Sequence, residues 1–218
     1  FVMIDCGHGP MDLDQVEHMV RAGEVFGITP IARIPDHADA TILRYLDRGV
    51  QGIIVPHINT REEADAVARA ARYYPDGHRG VGGGRAHDYG VGVSRDESTA
   101  WINSQTLVIP MVEETEAVEN LDAILGVTGV DILHVAAGDL GQSMGNPGPA
   151  DVRRLMSQVI PKIRAGGKNV GVGGNSPADA TGVAEFIKLG ANFVTISAQG
   201  LLRLGAEDFR KRVDAALQ

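Results

Sequence analysis

A single cysteine, Cys6, stands in 218 residues, so no internal disulfide is available to hold this fold. No apolar run approaches the ~18 residues of a membrane-spanning helix, and no stretch resembles a signal peptide. Positive charge is also scarce. Lys and Arg number 20 against 28 Asp and Glu, giving a net charge of −8 and a pI near 5.3. Nucleic acid and anionic membrane surfaces reward clustered basic residues, so this dispersed acidic balance argues against both as partners. The reading is a cytoplasmic protein that acts on small molecules.

Several reaction classes lose their usual signatures. No Gly-x-Ser-x-Gly elbow is present for a nucleophilic serine. The lysines are Lys162, Lys168, Lys188 and Lys211, all in helical patterns or just before a strand, so none is placed for a Schiff base. Gly80-Val81-Gly82-Gly83-Gly84 does not sit directly between a strand and its helix, as a dinucleotide-binding turn must. No Cys/His cluster suggests zinc.

What is present is the alternation of a parallel α/β protein in one domain, residues 1–218, with 44% hydrophobic and 22% charged residues. Strand-like runs fall at 1–5, 30–34, 52–56, 106–112, 131–136, 169–173 and 192–197. Amphipathic helices are predicted near 12–25, 38–48, 60–73, 95–104, 114–126, 149–165, 176–189 and 198–217. Thr60-Arg61-Glu62-Glu63 has the form of a capping box, and Ser176-Pro177 places proline in a first helical turn. Seven such strands suit an open doubly wound sheet or an eight-stranded barrel short of one strand. The chain opens at Phe1 within a strand-like run, and a segment upstream is expected.

A barrel gathers function at the C-terminal ends of its strands. Those ends carry Asp5 to His8, Arg33, Pro56-His57, Glu113, Gly138-Asp139, Gly173-Gly174-Asn175 and Ser197. Glu113 and Asp139 each stand where an apolar run stops, and on neighbouring strands they would offer oxygen ligands to Mg²⁺ or Mn²⁺. Equally, strand-end acids can cap the following helix. His8, on a loop shaped by Gly7, Gly9 and Pro10, can act as a general base, with Asp47 as an orienting partner, or can be a surface histidine. Arg33 at a rim calls for an anionic substrate or for an ion pair with Asp5 or Glu113. His57, His78 and His87 are weaker candidates, and His134, inside a strand, reads as a satisfied core histidine or a lining residue. The segment Arg85 to Gly90 is a solvated loop or a specificity loop.

Taken together, these residues resemble the HpcH/HpaI aldolase family, the metal-dependent class II aldolases acting on pyruvate, over nearly the whole chain. The resemblance is carried by Ile4-Asp5-x-x-His8-x-Pro10, Ala32-Arg33-x-Pro35, Leu46-Asp47-x-Gly49, Ile54-Val55-Pro56, Arg72-Tyr73 with Arg79-Gly80-Val81-Gly82, Val112-Glu113 with Glu119-Asn120-Leu121, and Gly138-Asp139-Leu140-x-x-Ser143-x-Gly145. It implies a TIM (β/α)₈ barrel whose first βα unit is absent from this chain. It further implies a divalent cation (Mg²⁺, Mn²⁺ or Co²⁺) on Glu113 and Asp139, with the substrate carboxylate at the amides of Gly138 and Asp139. Arg33 would steady a metal-stabilised pyruvate enolate, and His8, made more basic by Asp47, would move the proton. The implied reaction is reversible aldol cleavage of a 4-hydroxy-2-oxo acid to pyruvate and an aldehyde, in a homo-hexamer whose C-terminal helix packs on a neighbour. Oxaloacetate decarboxylation, a related keto-acid C–C lyase reaction, and non-catalytic keto-acid binding are the alternatives. Three positions depart from the family pattern: Met111 where glutamine is usual, Gly7 where an acid usually precedes the base histidine, and Ala136-Ala137-Gly138-Asp139 in place of Gly-Pro-Ala-Asp.

Overall fold

The computed structural model describes residues 1–218. Seven parallel strands follow one another around a single sheet in the order of the sequence: β1 (Val2–Asp5), β2 (Pro30–Arg33), β3 (Gly52–Val55), β4 (Leu107–Val112), β5 (Ile132–Ala136), β6 (Asn169–Asn175) and β7 (Phe193–Ile196). Sequential parallel order with helical crossovers curls the sheet into a TIM-like α/β barrel. It is nearly closed. No ladder joins β1 to β7, but the Phe1 ring stacks on Phe193 across that seam with centroids 4.4 Å apart.

Helices return the chain outside the sheet: α1 (Leu13–Val25), α2 (Asp39–Leu46), α3 (Arg61–Ala70), α4 (Arg95–Gln105), α5 (Thr115–Glu119), α6 (Leu121–Leu125), α7 (Ala137–Ser143), α8 (Pro149–Ala165), α9 (Ala180–Leu189) and α10 (Ala198–Ala216). The Thr60 capping box forms as its sequence predicts, with Glu63 N donating to Thr60 Oγ1 and Thr60 N to Glu63 Oε2. Three elements differ from expectation. The helix predicted over 114–126 is broken at Asn120 into α5 and α6. The helix predicted from Ser176 starts only at Ala180, because Asp179 caps it by accepting from Gly182 N. Helix α7 was not anticipated, since Gly138 and Gly141 depress its helix propensity.

Strand alternation sorts two cores. Outward-facing Ala32, Ile53, Val55, Val108, Leu133, Val135, Val170 and Val172 meet helical Val16, Val20, Leu46, Val67, Ile124, Val159 and Ile163 in one buried shell. Inward-facing Ile31, Ile54, Ile109, Met111, Ile132, Ala136 and Phe193 fill the barrel. Each fully buried aliphatic side chain contributes about 1.5–3 kcal/mol, which explains how the fold stands without a cross-link. The same inward parity carries Leu107, Ile109 and Met111 of β4 on to Glu113, and Met3 of β1 on to Asp5. The strand pattern therefore aims both acids over the barrel mouth.

Candidate active site

The mouth is built from five strand ends. Asp5, closing β1, is opposite Arg33, closing β2, in the strand register, and Arg33 Nη1 lies 3.7 Å from Asp5 Oδ2. Asp5 Oδ1 accepts from the backbone N–H groups of Gly7 and His8, both at 3.1 Å. These bonds fold the loop tightly enough that a Cβ on Gly9 would collide with the Asp5 carbonyl. His8 is thereby exposed at the rim, its Nε2 3.2 Å from Arg33 Nη2. Arg33 Nε is buried with no acceptor. An acid at position 7 would lie within reach of it, since a Cβ on Gly7 would stand 3.6 Å away.

Across the mouth, Glu113 is 2% exposed. Its Oε1 accepts from His57 N at 2.8 Å, while Oε2 is buried with no partner. Burial raises the Glu113 pKa, opposed by the His57 N–H and the His57 charge, and the nearby Asp139 carboxylate adds to the rise while Arg33 counters it. Asp139 rides in the first turn of α7, which begins directly after β5 and brings this acid back toward Glu113. A buried carboxylate oxygen with no donor, within the field of a second carboxylate, is a costly arrangement unless a cation completes it. No group of three or more His, Cys, Asp or Glu side chains lies close enough to cage an ion. A two-carboxylate donor set suits a hard divalent cation that draws its remaining ligands from water and substrate. Glu113 and Asp139 thus fit the group expected of them.

The adjacent acid has a different task. Glu114 Oε1 accepts from His57 Nδ1 at 2.7 Å and Oε2 from Asn59 Nδ2 at 2.8 Å. The hydrogen bond from His57 lowers the Glu114 pKa, and the same bond raises that of His57. The sequence marks His57 only as a weaker candidate at a strand end and does not mark Asn59. The signal for both is position, just beyond the end of β3 at Val55; the left-handed backbone of His57, φ +56°, is one that histidine adopts more readily than most residues but that no side-chain pattern calls for.

Two further expectations are sharpened. Of the two readings of His134, the structure bears out the lining residue: it points into the barrel, 4% exposed, and its Nδ1 has no partner. Burial, with a smaller contribution from the Arg33 charge, lowers its pKa to about 4, so the ring is neutral near pH 7. Its space comes from β6, where a Cβ on Gly171 or Gly173 would collide with the ring. Asp47, expected beside His8, lies elsewhere. It caps the C-terminal end of α2 just before β3 begins, at the opposite rim of the barrel, and its Oδ1 accepts from Arg79 Nη2 at 2.8 Å. Within one chain Asp47 and His8 are not brought together.

Beside Gly138 a cavity of about 490 Å³ opens between α7, α8 and the end of β6, lined among others by Asn146, Asn175, Ser176 and Phe186. No helix is long and apolar enough to cross a membrane.

A TIM-like barrel with paired carboxylates, an arginine and a histidine at its C-terminal mouth belongs with the enzymes of that architecture. The chain belongs to the HpcH/HpaI aldolase/citrate lyase family, whose pattern matches residues 1–206. It is 34% identical over 221 aligned positions to the 2-keto-3-deoxy-L-rhamnonate aldolase of Salmonella gallinarum, covering 100% of this chain and 81% of that protein. The Klebsiella pneumoniae protein of the same name is 35% identical, with 96% of this chain and 78% of the relative covered. Among solved structures, a family protein from Burkholderia cenocepacia superposes with a TM-score of 0.84 at 29% identity, covering 96% of this chain and 84% of the other. Citrate synthase SbnG superposes with a TM-score of 0.84 at 26% identity, covering 100% and 85%. The protein is accordingly a carbon–carbon lyase of the aldolase kind, in a family of metal-dependent class II aldolases.

Proposed function

We propose that this protein catalyses reversible aldol cleavage of a 4-hydroxy-2-oxo acid to pyruvate and an aldehyde. The observation that carries the reading is the buried, partnerless Oε2 of Glu113, whose carboxyl feels the Asp139 charge, with Arg33 and His8 at the same mouth. A divalent cation, Mg²⁺ or Mn²⁺, held by Glu113 and Asp139 would supply positive charge at the carboxylate and keto oxygens of the substrate. The backbone amides of Gly138 and Asp139 would receive the substrate carboxylate. Arg33, with a guanidinium that cannot deprotonate, would stabilise negative charge growing on the keto oxygen as the C3–C4 bond breaks.

The proton leaves the C4 hydroxyl as C4 becomes the aldehyde carbonyl, and the C3–C4 electron pair passes into the pyruvate enolate. His8 would take that proton and return one at C3, a role suited to an imidazole at the mouth of the site. Asp47 would act on the Arg79 side of the barrel rather than on His8 of its own chain. The curated relatives named above are aldolases of 2-keto-3-deoxy-L-rhamnonate by name, so a 2-keto-3-deoxy sugar acid is the first substrate class to offer.

We also read the enzyme as a cytoplasmic homo-oligomer, a hexamer by family resemblance. Helix α10 has no buried residue and leaves Leu201, Leu202, Phe209 and Val213 exposed, a face suited to a second copy. Light scattering of the eluted protein checks the mass.

The reaction is tested without guessing the aldehyde. Proton NMR of pyruvate in D₂O should show loss of the methyl signal when protein and Mg²⁺ or Mn²⁺ are present, and none after EDTA. Absence of exchange with folded, metal-loaded protein would sink the mechanism.

A further inference from the structure

The end of β3 is held in an unfavourable backbone conformation with one visible product. His57 lies at φ +56°, where a residue with a Cβ is disfavoured, and it delivers its N–H to Glu113 Oε1 at 2.8 Å. Its ring is tied down at the other side by the 2.7 Å bond to Glu114. Glu114 is held by Asn59, whose own carbonyl accepts from Asn120 Nδ2 at 2.9 Å and whose N–H donates to Glu63 at 2.8 Å. The chain of bonds therefore runs from the α3 cap to a single oxygen of Glu113.

We propose that His57 is a positioning residue for the cation: its left-handed N–H engages Glu113 Oε1 and leaves Oε2 as the ligand, while its ring occupies Glu114. The clamp decides which of two adjacent acids faces the site. Glu114 has both oxygens engaged, and Glu113 has one engaged and one buried without a donor. Holding the carboxylate by one oxygen fixes its rotation, as outer partners of a ligand commonly do. The inference rests on the metal reading given above.

The test is Mn²⁺ binding to metal-free protein, followed by the EPR signal of free Mn²⁺, with circular dichroism to check folding. In His57→Val the branched side chain resists the left-handed backbone, and the Kd is expected to rise about 10- to 100-fold. His57→Asn tolerates that backbone and can still reach Glu114, so its Kd should stay within about threefold of the parent. Glu114→Ala, which leaves the backbone to itself, should weaken binding about tenfold and stands in if the valine variant does not fold. Parent-like Kd values in His57→Val or, in its stead, Glu114→Ala would overturn the clamp while leaving the metal site intact. A parent that takes up no Mn²⁺ would sink the metal reading and the clamp with it.

Discussion

The two sides of the barrel mouth are built to different standards. On the β3–β4 side, Glu113 is buried and tied through His57, Glu114 and Asn59 to the cap of α3. On the β1–β2 side, His8 stands exposed on a glycine loop with one ring contact, to Arg33, and Arg33 keeps a buried Nε without an acceptor. A fixed charge must not move during a reaction, whereas a proton carrier must approach and withdraw. The rigid side suits the holding of positive charge, and the loose side suits proton transfer.

That division is open to direct attack. Removing the proposed ligand of the rigid side should cost most: Glu113→Ala is expected to lower kcat/KM by about 10⁴-fold, the several kcal/mol a cation supplies at about 1.4 kcal/mol per decade. Mn²⁺ affinity should fall with it, and a variant that keeps its affinity would break the comparison at its root. His8→Ala on the loose side should lower kcat about 10³-fold while leaving Mn²⁺ affinity at the parent value. Coupled loss of both would show that the two sides are one unit.

The opposite rim supplies the control. Asp47→Ala would strip Arg79, whose side chain is 1% exposed, of its carboxylate and should destabilise the fold by about 3 kcal/mol in urea unfolding. Normal stability with a collapsed kcat would return Asp47 to the chemistry.

The smallest effect tests the floor between the two sides. His134 is neutral in the fold, with a pKa of about 4, whereas the unfolded chain takes up the proton near the ordinary value of 6.5. Stability is therefore greatest above about pH 6.5 and falls as acid favours the unfolded state, by about 2 kcal/mol between pH 6.5 and 5. Denaturant unfolding at a series of pH values should show this slope in the parent and a flatter one in His134→Leu.

Much of this was legible in the residues. The seven strands could be placed because apolar runs such as Ile53-Ile54-Val55 and Ile132-Leu133 have one inner and one outer face, and period two is a local property. Glu113 and Arg33 were found because each ends an apolar run. Helix α7 was hidden by its glycines, although Asp139 itself marked the place. His57 stood out only weakly because its contribution is a backbone N–H in a left-handed turn, which no side-chain pattern encodes. Asp47 and His8 are not paired within this chain for a related reason. Proximity in a chain of strands and helices depends on which rim a residue occupies, and α2 carries Asp47 back to the other one.

The glycines of β6 have a consequence for the depth of this site. Gly171 and Gly173 leave one flank of the barrel interior bare, and the imidazole of His134 fills it together with Phe193 and Thr195. Of those side chains the imidazole is the one that stands nearest both glycines. Trimming that one ring would deepen the chamber without touching Arg33, Glu113 or Asp139, so the room allotted to the reactants can change by one substitution while the charge pattern above it stays as it is.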